Sequence, residues 1–282
     1  MYTLRNDGLE IAILDPVADR ERLGTRYCTG GYIFSITDAK LGDLMSGPTY
    51  PDSFNIFDGQ GIPDSFNLSP LLAGPAPRHP HQPLPETPRD ALALVLGIGV
   101  CDLDSSTVVE WCDWTVDASE STIKFSTHHA FRGYRVDLVR TVSLLGRTVR
   151  SWTQVRNGGR PIAIRWFPHP FYPHPETDEL VKFNILVSFP DNPGYLMAPS
   201  GFISRKGWPW QMGPYQALDH AATTNLVVMQ KHPKLGLVGA TCSYVPGFFP
   251  IWGNANTFSW EPFHERGLAP GQEAAWWIDY EF

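Results

Sequence analysis

The alternation of apolar and polar residues over positions 134–157, "YRVDLVRTVSLLGRTVRSWTQVRN", constrains the fold more than any other feature of the sequence. Two runs with a period of two residues flank Gly146, and glycine is a common turn residue. Successive side chains of a strand point to opposite faces of a sheet, so this pattern predicts an antiparallel hairpin with one buried face. A helix needs apolar residues three and four positions apart, and we find no segment with that spacing.

Further strand signals recur along the chain. The clearest are "GYIFSITD" (31–38), "STIKFSTHHAF" (121–131), the hairpin candidate "NLVVMQKHPKLGLVGATCSYV" (225–245) and the final "EAAWWIDYEF" (273–282). Aromatic residues make up 13% of the chain, and they favour strands. We therefore predict one all-β domain over residues 1–282, a large antiparallel β-sandwich whose site is built from loops and strand faces.

Two stretches show no strand pattern. Positions 46–90 are rich in proline and glycine, yet they contain five apolar residues that a solvated linker does not need: Phe54, Ile56, Phe57, Ile62 and Phe66. Long ordered loops in compact domains usually serve a function, so we expect this loop to cover a site. A second irregular stretch is predicted over 190–220.

Charge and cysteine content exclude several classes of protein. The net charge is −7, and the basic residues form no run or stripe, so we expect no nucleic-acid partner. Cys28, Cys101, Cys112 and Cys242 show neither CxxC nor zinc-site spacing, which is typical of reduced thiols in a cytosolic protein. We see no apolar signal region and no membrane-spanning stretch, so we expect a cytoplasmic monomer or homodimer with no membrane partner.

The segment "WFPHPFYPH" (166–174) contains the first candidate functional residues. Histidine titrates near neutral pH, and the prolines exclude an ordinary interior helix or strand. His169 and His174 could supply a proton donor, a metal pair or plain packing. With His79 and His81 of "HPH" they could form a metal site, since alternate residues of a strand share a face.

The second candidate is Glu261, which lies between Trp260 and Pro262 in the C-terminal segment. A carboxylate among apolar side chains is partly desolvated. Desolvation raises its pKa and makes it a better general base near neutral pH. The alternative is a glutamate at a strand end that faces solvent.

The order of these motifs resembles the galactose mutarotase-like (aldose 1-epimerase) superfamily. In that family two strands meet at an asparagine turn, and the next strand leads to a histidine motif; "NGGRP" (157–161) and "HPFY" (169–172) stand in those places. The family then has a strand carrying a glutamate, a Pro-Gly turn and a final strand, as in "WEP", "LAPGQE" and "WWIDYEF" within 260–282. Upstream, "GTRYCTGGYIFSITD" (24–38) is similar to the family's opening strands. The resemblance covers almost the whole chain.

This resemblance implies a large β-supersandwich with a sugar cleft, and it implies a mechanism. The family's histidine protonates the ring oxygen of an aldose, and its glutamate takes the proton of the anomeric hydroxyl. Carried over to this chain, His169 is the acid and Glu261 the base, and no cofactor or protein-bound metal is implied. A histidine and a glutamate in different environments suit these roles. Each proton transfer of this kind is typically worth about 10² to 10⁴ in rate.

The substrate-binding residues depart from the family pattern. The family carries an Asn-Arg or Gly-Arg pair before an "HGF" segment, whereas "FDGQGIPDSFN" (57–67) has Gln60 in that region and no "HGF" follows. His81 in the proline tract is then the candidate for the second histidine. Arg26 is the best remaining substrate-binding arginine, and a structural ion pair is its alternative role.

The last candidates are aromatic or acidic. Asp219 in "ALDH" is the counterpart of the family's sugar-binding aspartate, while Trp208, Trp210 and Trp252 are candidates for stacking on a sugar ring or for core packing. Three functions follow: a mutarotase-like isomerase, a carbohydrate-binding protein of the same fold without turnover, or a metal-dependent β-sandwich enzyme that uses His79, His81 and His169.

Overall fold

The computed structural model describes residues 1–46, 59–72, 91–210 and 213–282. Within these ranges the chain is all-β, as predicted, with a single 3-10 turn at Arg20–Arg22. The strands are β1 Tyr2–Arg5, β2 Leu9–Ile13, β3 Ile33–Asp38, β4 Gly42–Asp43, β5 Asp64–Ser65, β6 Leu71–Leu72, β7 Leu92–Val95, β8 Gly99–Asp102, β9 Thr107–Trp111, β10 Thr115–Ala118, β11 Thr122–Phe131, β12 Tyr134–Leu145, β13 Thr148–Asn157, β14 Ile162–Pro168, β15 Tyr172–Pro173, β16 Glu179–Phe183, β17 Val187–Ser188, β18 Tyr195–Met197, β19 Ile203–Arg205, β20 Tyr215–Ala217, β21 Asp219–His220, β22 Val227–His232, β23 Gly236–Cys242, β24 Pro250–Gly253, β25 Thr257–Trp260, β26 His264–Leu268 and β27 Glu273–Glu281.

A ten-stranded antiparallel sheet in the order β10-β11-β12-β13-β27-β23-β22-β16-β19-β18 forms the body of the molecule. The predicted hairpin is one of its two longest pairs: Leu145 of β12 pairs with Thr148 of β13 across a turn in which Gly146 has φ +58°. The second predicted hairpin, β22 with β23, turns between His232 and Gly236. Both hairpin predictions are confirmed.

Smaller sheets pack on the ten-stranded sheet and complete the sandwich. The sheets β26-β14-β5 and β15-β25-β24-β20 carry the segments of interest. Trp276 of β27 packs on Trp166 of β14 at 5.5 Å between ring centroids, and Tyr280 of β27 packs on Trp260 of β25 at 6.1 Å. These fully buried aromatics place the ends of β14 and β25 side by side over the same strand.

One buried charge pair links the two layers. Arg140 lies on the core face of β12, where its guanidinium donates to both carboxylate oxygens of Asp64 in β5 and to Ser151 at 3.2 Å. Asp64 pairs with Pro168, the last residue of β14. Because burying charges is expensive, breaking such a pair costs about 3–5 kcal/mol. The pair therefore fixes β5 against the end of β14, and His169 follows directly.

The loop predictions had mixed outcomes. The stretch 190–220 is not irregular throughout, because it contains β18, β19, β20 and β21. Each is only two or three residues long, so no period of two is visible in the sequence. Most of 46–90, including Phe54, Ile56 and Phe57, lies outside the described residues, whereas Ile62 and Phe66 are described and buried.

The structure also bears on the state of the cysteines and on membrane-spanning helices. All four cysteines are buried free thiols, as predicted. In the described ranges, no helix has the length and apolar character needed to cross a lipid bilayer.

Candidate active site

His169 and Glu261 meet where their strands end. His169 follows β14 and Glu261 follows β25, and Nε2 of the imidazole lies 3.2 Å from Oε1 of the carboxyl group. The backbone N–H of His169 donates to Pro63 at 2.8 Å, and that of Glu261 donates to Pro250 at 2.9 Å. The side chains are only 3% and 9% exposed. The fold thus brings together the two residues that sequence reasoning singled out.

Aromatic rings hold the imidazole in place. Phe171 stacks on the His169 ring at 4.4 Å and 13°, and Trp252 meets it edge-on at 5.5 Å. Tyr27 approaches from another side at 6.3 Å. Rings packed in this way restrict rotation of the imidazole. The proline- and aromatic-rich turn therefore orients a single histidine rather than a pair.

Burial shifts the two pKa values in opposite directions. It raises the pKa of Glu261 to about 8, against a smaller lowering by the charge of Arg26. Burial lowers the pKa of His169 well below its usual value, and Arg26 adds to that shift. At neutral pH the stable form is a neutral imidazole beside a neutral carboxyl group. Moving one proton across the contact gives imidazolium and carboxylate without changing the total charge.

The other nitrogen of the imidazole is also buried. Nδ1 of His169 has no hydrogen-bond partner among the residues that the structure describes. A buried polar atom of this kind normally acquires a partner, since leaving it unpaired costs about 1–3 kcal/mol. The histidine therefore has hydrogen-bonding capacity beyond its contact with Glu261.

Arg26 acts electrostatically on the acid-base pair, and its role in binding substrate stays a prediction. Its guanidinium carbon is 5.3 Å from the ring centroid of Tyr27, and Arg26 is half-buried. Its positive charge lowers the pKa of both His169 and Glu261. It is a donor that could bind the oxygen of a ligand.

Gln60 lies in the wall of the site. It is buried, and its backbone carbonyl accepts a hydrogen bond from the Tyr32 hydroxyl at 3.0 Å. The neighbouring Gly61 carbonyl accepts the N–H of Phe171 at 2.8 Å. A Cβ on Gly59 would come within 2.9 Å of the Phe171 ring, so only glycine permits this close approach. Segment 59–63 therefore packs directly on the histidine turn.

Two tyrosines near Glu261 were missed by the sequence analysis. Tyr215 of β20 pairs with Trp252 and is more than half exposed, and partial burial together with the charge of Glu261 raises its pKa to about 12. Burial also raises the pKa of Tyr195, with a smaller contribution from Glu261, and its hydroxyl donates to Pro214 at 3.0 Å. Neither tyrosine stands in a motif, because both belong to three-residue strands.

Two further predicted residues, Trp210 and Asp219, differ in how they relate to the pair of His169 and Glu261. Trp210 is buried and packs on Tyr195 at 5.2 Å, and its ring borders Gly253, which follows Trp252. Asp219 is exposed on β21 and, among the described residues, makes no hydrogen bond or ion pair with His169 or Glu261.

The other histidines do not form a metal site in the described structure. His174 shares a hydrogen bond of 2.7 Å with the Asn254 carbonyl and packs on Trp208 at 4.3 Å, as a structural histidine does. His79 and His81 lie outside the described residues. Within the described ranges, no group of three histidine, cysteine or acidic residues could hold a metal ion.

Comparison with known proteins identifies the fold. No family model and no curated protein sequence matches the chain. Solved structures do match. A structural-genomics protein from Synechocystis matches with TM-score 0.61 and 14% identity, over 99% of this chain and 94% of that one. A candidate aldose 1-epimerase from Escherichia coli K12 matches with TM-score 0.57 and 14% identity, over 99% of this chain and 97% of that one. A galactose mutarotase-like protein from Clostridium acetobutylicum matches with TM-score 0.58, 10% identity and coverage of 99% and 93%.

The chain has the galactose mutarotase-like fold. The match runs over nearly the full length of both chains, which agrees with the motif order in the sequence. At 10–14% identity the likeness establishes the fold and nothing finer.

Proposed function

We propose that the protein is an aldose 1-epimerase-like isomerase that interconverts the anomers of a sugar by acid-base catalysis. The observation that carries the proposal is the buried contact of 3.2 Å between His169 and Glu261. Their pKa shifts leave one proton that can occupy either side of the contact. A pair of this kind can give a proton to one oxygen and take a proton from another.

In the proposed reaction, protonated His169 gives a proton to the ring oxygen, while ionised Glu261 takes the proton of the C1 hydroxyl. The bond between C1 and the ring oxygen breaks, and C1 becomes an aldehyde. Rotation about C1–C2 presents the other face of the aldehyde, and the reverse transfers close the ring. No electron enters or leaves, so the reaction requires no redox cofactor.

The sugar has to part the two catalytic side chains, because Nε2 and Oε1 occupy each other's hydrogen-bonding positions. Ligand hydroxyls would replace that contact with hydrogen bonds to polar oxygens, which favours the ionised forms. In this proposal Arg26 binds a hydroxyl and stabilises the carboxylate, in line with its lowering effect on the pKa of Glu261. In this arrangement Trp252 packs on the sugar ring, Gln60 supplies a wall, and Trp210 supports Trp252.

The same contact also supports a second candidate, a carbohydrate-binding protein without turnover. If the sugar binds beside the pair and leaves the contact intact, neither group reaches the reacting oxygens. His81 and Asp219 remain proposed sugar ligands under either function, and no contact of the described residues places them at the pair.

Two-dimensional exchange NMR between α and β anomers separates the two functions. The protein would be added to a panel of aldoses and aldose phosphates, with His169→Ala as the matched control. Accelerated exchange of at least one sugar, lost in the control, supports the isomerase. Saturation transfer from protein to sugar without accelerated exchange supports the binding protein. A stoichiometric transition metal in the purified protein, required for activity, would contradict the mechanism.

A further inference from the structure

A cavity lies next to the candidate site. It has a volume of about 490 Å³, within the range of small-molecule pockets. Among the described residues, its walls come from the turn at 193–194 and from positions 207, 209–210 and 213–214, and this lining comprises three glycines, three prolines and the indole of Trp210. None of these lining residues is ionisable.

Trp252 separates this cavity from the acid-base pair. On one side its indole contacts the His169 ring at 5.5 Å. On the other side a Cβ on Gly213, which lines the cavity, would come within 3.0 Å of the Trp252 Nε1 atom. The carbonyl of Pro214, also in the lining, accepts a hydrogen bond from the Tyr195 hydroxyl at 3.0 Å, and the charge of Glu261 acts on that tyrosine. The cavity and the pair are thus neighbours across one side chain.

The chemistry of the walls points to an uncharged ring. Flat apolar surfaces from Trp210 and the prolines suit the C–H faces of a ring. Lys206, which precedes the lining residue Gly207 in the sequence, donates to Asp191 at 2.6 Å. The exposed indole of Trp208 lies at 4.2 Å under the guanidinium of Arg205. A phosphate or another ion would lack a counter-charge in the lining itself.

We infer that this cavity binds the second ring of a reducing oligosaccharide whose reducing-end aldose occupies the acid-base pair. The inference rests on the proposed function and names its substrate class. Anomer exchange needs a free hydroxyl on C1, so any group beyond Trp252 is attached through another carbon of the reacting ring. A glycosidic bond to a second sugar is such an attachment, and the ring of that sugar has apolar C–H faces that suit these walls.

The test compares anomer exchange of glucose with that of the reducing disaccharides maltose and cellobiose. Binding energy from a remote part of a substrate raises kcat/KM, so for at least one disaccharide we expect a value about tenfold above that of glucose. Pro193→Trp fills the cavity from its exposed edge, and Pro193→Ala is the matched control. The turn tolerates both, because Asn192 Oδ1 accepts the N–H groups of Gly194 and Tyr195. The tryptophan variant should lower the ratio of disaccharide to glucose about tenfold, and the alanine variant less than about twofold.

The outcomes separate this inference from the proposed function. Accelerated glucose exchange with no advantage for either disaccharide, or with the same ratio in Pro193→Trp, overturns the inference and leaves the isomerase intact. If no sugar exchanges faster, the proposed function fails, and saturation-transfer NMR of maltose then decides whether the cavity binds a sugar ring. Contact with the non-reducing ring that is lost in Pro193→Trp supports the cavity as a sugar site, and absence of such contact overturns it.

Discussion

Replacing Glu261 with glutamine should change how stability depends on pH. The folded protein holds the carboxyl proton with a pKa of about 8, whereas the group's ordinary value is 4.5. Between these values the unfolded chain ionises while the folded chain keeps the proton. The proton thus stabilises the folded state fully below pH 4.5, and that contribution is lost as the pH rises to 8. Glutamine has nearly the same shape and does not titrate in this range.

The magnitude follows from the interval between the two pKa values. Each pH unit in this window lowers the free energy of unfolding by up to about 1.4 kcal/mol, so the whole window is worth about 4–5 kcal/mol as an upper limit. Urea denaturation of wild type and Glu261→Gln at pH 5, 6, 7 and 8 measures the difference. Other titrating groups act on both proteins and cancel in it. A difference that is constant with pH, or a wild type that gains stability relative to the variant as the pH rises, would refute the buried carboxyl group.

Three further outcomes are expected. The rate of enzyme-catalysed anomer exchange should fall above pH 8, because the shared proton leaves Glu261 there. Arg26→Gln should move this fall in rate to higher pH, because the charge of Arg26 lowers the pKa of Glu261. Profiles of rate against pH, corrected for uncatalysed exchange, check both predictions. Arg140→Met should lower the free energy of unfolding by about 3–5 kcal/mol in urea titrations, because it leaves the carboxylate of Asp64 buried without its partner. Adding Asp64→Leu removes that carboxylate and should recover part of the lost free energy. Phe171→Leu should lower kcat about 10- to 100-fold with a smaller effect on KM, because the imidazole loses its stacking partner and its orientation. An unchanged kcat would show that the stacked ring does not position the histidine.

The fold was predictable wherever the sequence pattern is long. The strands of 134–157 each show the period of two over ten or more residues, so their pairing and turn could be predicted from the sequence. The short strands of 190–220 carry too few residues for a period to show. Their place in the fold depends on distant partners, such as Trp252 for Tyr215.

The site was predictable only in part, and for a related reason. His169 and Glu261 stand in recognisable motifs, but their contact depends on β14 and β25 packing over β27, which no local pattern encodes. Tyr195 and Tyr215 carry no motif at all. Asp219 was selected by its place in the motif order, and the structure leaves it exposed on β21.

The most direct test of the acid-base pair is the exchange rate of the best aldose at pH 7 with wild type and with Glu261→Gln. Glutamine keeps the shape of the side chain but cannot take a proton from the anomeric hydroxyl. The account predicts that catalysed exchange falls by about 10² to 10⁴ while saturation transfer still shows sugar bound to the variant. Wild-type exchange rates in the variant, with the sugar bound, would contradict the role of Glu261 and with it the proposed mechanism.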